Sequence, residues 1–310
     1  MNKRGFIFTF ISVILISVLV LAFLIQYTSR TGVNIEKTNT EVETMNSFVK
    51  SLNNDYLPRV MQVSGNQAIL ALLNYTSEQK EYLGEGNSLH YIVNTITEGE
   101  YKVGYGGGDD GPKLEVMEIE GINYTLNDTL NEIKYLAEST GINFNFEEIT
   151  QQFKQNMEVF QDNPWYVNIS MVISYSIYND NNDISWNYKS KRIKTSIPIT
   201  SFRDPIYMIE SGINITINKT AYDLPEQIEP HVLFTNFVKC SKSPNFLSRM
   251  EGSTTASENA GIESLVNLKD PGQSAIDYQY LMKINPGQLT QIPEGSGYYI
   301  DITHSSCYNF

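Results

Sequence analysis

The sequence predicts an α+β protein: an N-terminal transmembrane helix that continues into a long helix, then an antiparallel β-rich ectodomain with two short amphipathic helices. Residues Phe6 to Ile25 carry no charge. Apolar residues recur at spacings of three and four from Val42 to Tyr56, and at spacings of two from Trp165 to Ile177. These are the periods of a helix and of a strand with one buried face. We therefore divide the chain into a cytoplasmic leader and transmembrane helix (1–26), a helical stalk and packing helix (27–80) and an α+β ectodomain (81–310).

The run Phe6–Ile25 has the length of a membrane anchor. Its 20 residues span about 30 Å, the thickness of the hydrocarbon core. A cleaved signal peptide would have a shorter apolar core and a small-x-small site, which the following residues lack. Because Lys3 and Arg4 precede the run, the positive-inside rule keeps the N-terminus in the cytoplasm. We expect a single-pass protein of the cell membrane, with residues after about 27 outside the cell.

The first residues also carry a pilin-like pattern. Lys3-Arg4-Gly5-Phe6 is similar to the start of type IV pilin-like proteins. This resemblance implies that a short basic leader is cleaved between Gly5 and Phe6. Pilins usually have Glu at the fifth mature position, where this chain has Phe10. Assembly into a filament is therefore kept as an alternative to a simple anchor.

Composition limits the partners. The formal net charge is −13 and aromatic residues make up 12% of the chain, so we expect a folded, acidic protein. Nucleic acid and anionic lipid are disfavoured, because both require a basic surface. The expected partners are the lipid bilayer, through Phe6–Ile25, and copies of the chain or other envelope proteins.

Two kinds of modification site fit an exported chain. Cys240 and Cys307 are the only cysteines; outside the cell they either form a disulfide or remain two buried thiols. A disulfide would close a 67-residue separation and stabilise the fold by about 4 kcal/mol. N-glycosylation sequons occur no more often than chance predicts, so they mark only available acceptors: Asn74, Asn123, Asn127, Asn168, Asn214 and Asn218.

The stalk and the first part of the ectodomain are predicted to be mainly helical. A helix over 31–76 should be kinked or restarted at Pro58, with its stripe packed on its own β-domain rather than on a second copy. The Gly-rich run 104–111 lacks the Gly-Lys-Ser/Thr ending of a phosphate loop and is interpreted as a hairpin loop. Two amphipathic helices follow: one with the stripe Leu126, Leu130, Ile133 and Ala137, and one with the stripe Phe146, Ile149, Phe153 and Met157, capped at Asn145.

The second part is predicted to be mainly β-structure. Strict alternation of apolar and polar residues predicts a strand from Trp165 and a return strand from Ile184. The polar stretch Asn179–Asp183 between them is predicted to be a turn. A change of phase in the return strand indicates a β-bulge near Ser190–Arg192. Further predictions are a short helix from Pro244 to Met250 and strands at Ala275–Ile284 and Gly297–Thr303.

A resemblance to other proteins covers most of the chain. It rests on the basic-Gly-Phe apolar start, on Trp186 … Ser196-Ile197-Pro198-Ile199 … Phe202-x-Asp204-Pro205-x-Tyr207, and on the segments 243–252 and 261–267. In these features the chain resembles archaeal exported surface proteins with a type IV pilin-like N-terminus. The resemblance implies an archaeal, membrane-anchored surface protein and carries no activity.

A catalytic motif is not found in the sequence. His90, His231 and His304 lie outside the spacings of zinc sites, and we expect each to be an ordinary surface or half-buried residue. A Gly-x-Ser-x-Gly elbow is absent, and nothing distinguishes one carboxylate from another. We therefore predict no catalytic residue, cofactor or metal. The expected function is a non-enzymatic surface protein for adhesion or envelope contact; the alternatives are a minor subunit of a pilus-like filament and an extracellular hydrolase.

Overall fold

The computed structural model describes residues 34–102, 113–115, 118–119, 122–123, 125–146, 154–180 and 184–310. In this part the chain is an α+β protein whose sheets are antiparallel, as predicted. The anchor run Phe6–Ile25, the cleavage position Gly5–Phe6 and the Gly-rich run 104–111 lie outside the described residues. Among the described helices, none has both the length and the apolarity that crossing a membrane requires.

A long interrupted helix opens the described chain. It consists of α1 (Asn34–Ser51), a π-helical turn (Leu52–Tyr56) and α2 (Leu57–Gln79). The interruption lies directly before Pro58, which lacks an N–H group and whose ring would clash with a carbonyl of the preceding turn. The wider π turn accommodates the proline, and the α-helix restarts where the sequence predicts.

The long helix packs on the domain that follows it. Met45, Val49 and Leu52 are buried in the same hydrophobic core as the main sheet. A Cβ atom at Gly65 would lie 2.5 Å from Cδ1 of Ile169 and 2.6 Å from Cδ1 of Ile197, so the glycine allows α2 to lie close against the sheet. The apolar stripe therefore faces the chain's own β-structure, as expected.

Short elements connect the long helix to the main sheet. Helix α3 (Ser88–Glu98), which we did not predict, is followed by the hairpin β1 (Glu100–Lys102) and β2 (Lys113–Glu115), whose pairing agrees with the predicted hairpin. The hairpin β3 (Glu118–Ile119) and β4 (Ile122–Asn123) precedes α4 (Leu126–Glu138). The four apolar residues of the predicted stripe are buried on α4, and Thr125 caps it by accepting a hydrogen bond from the N–H of Asp128.

The main sheet is built around one long strand. Strand β7 (Tyr166–Asn179) pairs with β8 (Ser185–Pro198) along one edge. Along its other edge it pairs with β6 (Met157–Asn163) and then with β5 (Ile142–Phe146). Between Ile173 and Tyr175 the register shifts, because Lys189 and Ser190 of β8 both lie opposite Ser174. The predicted bulge is therefore present at Lys189–Ser190.

The second predicted amphipathic helix is wrong at both ends. Phe146 lies in β5 and Met157 in β6, and both side chains are buried. Asn145 is not a helix cap, because it pairs with Ser176 of β7. Ile142, Phe144 and Phe146 alternate at period two, which is the strand signal that the helical spacing concealed. Residues 154–156 are helical, and residues 147–153 lie outside the described part.

The C-terminal region consists of short elements that bury apolar side chains partly in the main core and partly in a second hydrophobic cluster. In chain order they are a helical segment that ends in a π turn (Tyr207–Ser211), α5 (Ile228–Leu233), β9 (Phe237–Lys239), α6 (Phe246–Glu251), β10 (Ile262–Ser264), α7 (Asp277–Leu281), β11 (Leu289–Gln291), β12 (Tyr299–Asp301) and a 3₁₀ helix (Ile302–Tyr308). Strand β9 pairs with β10 and β11 with β12, both antiparallel. The predicted short helix and last strand are present as α6 and β12. The predicted strand Ala275–Ile284 is wrong, because its centre is α7, with the acidic Asp277 in the first helical turn.

Candidate functional site

A group of buried charges joins the short elements of the C-terminal region. We call it the ionic core and define it as Asp204, Arg249, Glu263, Asp277 and His304. Arg249 projects from α6, and its side chain is fully buried. Nε of Arg249 donates to Oδ2 of Asp204 at 2.7 Å, and Nη2 donates to Oδ2 of Asp277 at 2.6 Å. The guanidinium group therefore holds two carboxylates that are distant in sequence.

Each carboxylate is also held by its own element. Oδ1 of Asp204 accepts from the N–H groups of Ile206 and Tyr207, so Asp204 caps the start of the helical segment that ends at Ser211. Asp277 opens α7 and accepts a second hydrogen bond, from Oγ of Ser264 on β10, at 3.0 Å. The helix termini and the guanidinium group thus fix the carboxylates together.

Burial and neighbouring charges act in opposite directions on the pKa values of Asp277 and Arg249. Burial and the nearby carboxylates raise the pKa of Asp277 to about 6, although Arg249 acts in the opposite direction. Burial lowers the pKa of Arg249, but the two carboxylates outweigh it, so the net pKa lies above the ordinary value. Arg249 therefore remains charged, and the pKa of Asp277 lies above the ordinary value of an aspartate.

Glu263 and His304 form the second half of the ionic core. Oε2 of Glu263, on β10, accepts a hydrogen bond from Oγ of Ser243 and lies 2.6 Å from Nδ1 of His304. Nε2 of His304 lies 3.4 Å from the hydroxyl of Tyr278. Burial lowers the pKa of His304, but the hydrogen bond and charge of Glu263 outweigh it and give a net upward shift. The contact therefore favours an imidazolium–carboxylate pair.

The two cysteines lie beside this pair. Cys240, directly after β9, and Cys307, in the 3₁₀ helix, form a disulfide with an S–S distance of 2.05 Å and a Cα–Cα distance of 5.1 Å. Sγ of Cys240 is 3.6 Å from Nδ1 of His304. Cys240 is buried, whereas Cys307 is half-buried. The disulfide thus ties the 3₁₀ helix Ile302–Tyr308 to β9 at the edge of the ionic core.

Several buried polar atoms near the ionic core have no hydrogen-bond partner among the described residues. They are Oε1 of Glu263, the hydroxyl of Tyr308 and Nε2 of His231. His231, on α5, packs edge-to-face against Tyr308, and its Nδ1 lies 3.1 Å from Oγ1 of Thr220. Burial lowers the pKa of His231 to about 4. Burial, followed by the charge of Glu263, raises the pKa of Tyr308 well above its ordinary value.

The ionic core is inaccessible in this conformation. The side chains of Arg249, Asp204 and Asp277 are fully buried, and those of Glu263 and His304 are 0% and 4% exposed. A substrate cannot reach a group that water does not reach. The arrangement therefore positions secondary structure, and its acid and base groups do not contact solvent.

The predicted glycosylation acceptors are distributed over the described surface. Asn74, Asn214 and Asn218 are exposed. Asn127 and Asn168 are half-buried, and Asn168 also hydrogen-bonds to Asp162 and Ser196. Asn123 lies in β4. The accessible pair in the C-terminal region is Asn214 and Asn218.

The expectation for the histidines is wrong at two positions. His90 is exposed, but His231 and His304 are buried. Sequence reasoning also missed the ionic core, because its members are separated by long stretches of chain. One signal was available: Phe246, Arg249 and Met250 have the spacing of one helix face, which predicts a buried arginine on α6.

Comparison with known proteins adds no relative: no protein-family model, curated protein or solved structure matches this chain.

Proposed function

We propose that this protein is a membrane-anchored, non-enzymatic protein of the cell surface, with residues after about 27 outside the cell. The observation that carries the proposal is the Cys240–Cys307 disulfide, because disulfides persist in oxidising compartments outside the cytoplasm. The uncharged run Phe6–Ile25, preceded by Lys3 and Arg4, agrees with it. The proposed role is adhesion or contact with the envelope, and Asn214 and Asn218 are the best-placed acceptors if the surface is glycosylated.

Membrane fractionation tests the anchor. Cells that produce the full chain are lysed, and the membranes are washed with alkaline carbonate, which removes peripheral proteins. We expect the full chain to stay in the membrane pellet and a variant lacking residues 6–25 to leave it. A full chain released by carbonate contradicts the proposal, because one transmembrane helix resists such a wash.

A pilus-like filament subunit is the second candidate, and Gly5-Phe6 is the observation that favours it. Both candidate functions place the same part of the chain outside the cell, so a topology experiment does not distinguish between them. The intact mass of the native protein does. A mature chain that starts at Phe6 supports the filament, whereas a chain that retains Met1 or Asn2 excludes it.

An extracellular hydrolase is the least supported candidate. It would require ionisable side chains that converge where a substrate binds. In the described residues such side chains do converge at Glu263, Asp277 and His304, but they are buried. An accessible acid–base pair would be needed for general acid–base catalysis.

A further inference from the structure

We propose that, when the Cys240–Cys307 disulfide is reduced, its two thiolates bind one Zn²⁺ ion together with the Glu263 carboxylate and the His304 imidazole. This goes beyond the proposed surface role, which concerns the oxidised protein. Under oxidising conditions Cys240 and Cys307 form a cross-link. Under reducing conditions all four side chains form a metal site.

The four ligand groups already lie close together. One ligand atom from each of Cys240, Glu263 and Cys307 lies within 4.8 Å of the others. Nδ1 of His304 is 3.6 Å from Sγ of Cys240 and 2.6 Å from Oε2 of Glu263. Ligand atoms of a tetrahedral zinc site are about 3.3–3.8 Å apart. Opening the S–S bond, moving each sulfur by about 1 Å and widening the 2.6 Å distance between Oε2 of Glu263 and Nδ1 of His304 approaches that geometry.

Glu263 supplies an independent indication of a ligand. Its Oε1 atom is buried and has no hydrogen bond of standard geometry among the described residues; the hydroxyl of Tyr308, which interacts with the same carboxyl group, has none either. An unsatisfied buried carboxylate oxygen is costly, and a cation would satisfy it. Its other oxygen, Oε2, is already oriented by the hydroxyl of Ser243.

The surrounding groups are those that orient ligands in zinc sites. When His304 binds a metal through Nδ1, the Nε2–H group needs an acceptor, and the hydroxyl of Tyr278 lies 3.4 Å from that nitrogen. Thiolate, imidazole and carboxylate together suit a borderline-soft ion with tetrahedral preference, which is Zn²⁺. Cys307 is half-buried whereas Cys240 is buried, so Cys307 is the sulfur that a reductant reaches first.

The redox step balances with a dithiol as the reductant. One thiolate of the dithiol attacks Sγ of Cys307, the S–S bond breaks, and the electron pair and a proton go to Sγ of Cys240. The second thiol of the dithiol then displaces Cys307, so the reductant leaves as a disulfide and the protein holds two thiols. Zn²⁺ binding releases to solvent the two thiol protons and the Nδ1 proton of the His304 imidazolium, which keeps its Nε2–H group.

Metal uptake by the purified full-length chain tests the proposal. The oxidised protein and the dithiothreitol-reduced protein are each incubated with Zn²⁺ alone, desalted under nitrogen and analysed for bound metal. We expect about one Zn²⁺ per chain in the reduced protein and below about 0.1 in the oxidised protein. Co²⁺ serves as the spectroscopic probe, because thiolate ligation and tetrahedral geometry each give characteristic absorption bands.

Variants locate the site. Cys307→Ser and Glu263→Gln should lower zinc affinity of the reduced protein by about 100-fold or more, whereas Glu258→Gln, at an exposed carboxylate, should leave it unchanged. Circular dichroism establishes that each variant is folded; if Glu263→Gln is not, Cys307→Ser at the half-buried position decides. Equal uptake by oxidised and reduced protein, no uptake by either, or full uptake by Cys307→Ser would overturn the proposal.

Discussion

Arg249 shows how single residues hold the C-terminal region together. Its guanidinium group is fully buried between Asp204 and Asp277, and another of its nitrogens, Nη1, donates to the carbonyl oxygen of Ile262 at 3.3 Å. A buried ion pair gains little over apolar packing, but removing one partner leaves an uncompensated charge. The network therefore makes the fold sensitive to the loss of any member.

The variant Arg249→Met is expected to destabilise the protein by about 3–5 kcal/mol, because two buried carboxylates lose their cation. The free energy of unfolding, from urea titration of the full-length chain in detergent, measures the change. The control is Arg192→Met, because Arg192 is 54% exposed and lies 3.9 Å from the exposed Glu158; it should change stability by less than about 1 kcal/mol. Equal effects of the two substitutions would contradict the structural role of Arg249.

His231 makes stability depend on pH. In the folded chain its pKa is lowered to about 4, whereas in the unfolded chain it titrates at about 6.5. Between these values the unfolded state binds the additional proton, so stability falls as the pH drops from 7 towards 4. Between pH 7 and pH 5 this amounts to about 2 kcal/mol.

The test compares the fall in stability between pH 7 and pH 5 in the wild type and in His231→Gln. The difference between the two proteins isolates His231 from the other titrating groups. We expect the variant to lose about 2 kcal/mol less than the wild type over this range, and the surface variant His90→Gln to behave as the wild type does. Identical pH dependence of His231→Gln and the wild type would exclude the buried neutral imidazole.

At the scale of secondary-structure elements, long periodic patterns of apolar residues are predictable from the sequence. Contacts between polar residues that lie far apart in the sequence are not. Strand β7 was evident because six buried residues alternate along it, and α4 because its stripe has helical spacing. Phe146 lies in a strand, whereas the sequence predicts a helix there, because Phe146, Ile149 and Phe153 also fit helical spacing. The ionic core was not predictable, because Asp204 and Arg249 are 45 residues apart and Glu263 and His304 are 41 apart. Only tertiary packing brings them together.

Gly261 determines how β10 meets the segment after β9. A Cβ atom at this position would overlap the carbonyl oxygens of Cys240 and Ser243. Gly261→Ala is therefore expected to destabilise the fold by about 1–3 kcal/mol, measured by thermal unfolding. Gly272→Ala is the matched control, because the nearest atom to its Cβ is a side-chain oxygen of Asp270 at 3.4 Å. A Gly261→Ala variant with the thermal stability of the wild type would contradict this close approach between the backbone segments.

At the scale of the whole molecule, the disulfide joins the 3₁₀ helix Ile302–Tyr308 to the segment after β9. It links residues 67 positions apart, and a loop of that length corresponds to about 4 kcal/mol in the chain-entropy account. Replacing both cysteines, as in Cys240→Ser with Cys307→Ser, should lower the free energy of unfolding by about that amount. Reductant should destabilise the wild type and leave the double variant unchanged. Reductant-insensitive stability of the wild type would contradict this contribution.

The central proposal is that an N-terminal membrane anchor holds the rest of the chain outside the cell. Protease treatment of intact cells tests this proposal most directly. The full chain is produced with an epitope after Phe310, and intact cells are exposed to a protease that does not cross the membrane. We predict that the epitope is lost from intact cells while a cytoplasmic marker survives. An epitope that is protected in intact cells and lost only after permeabilisation would contradict the extracellular placement.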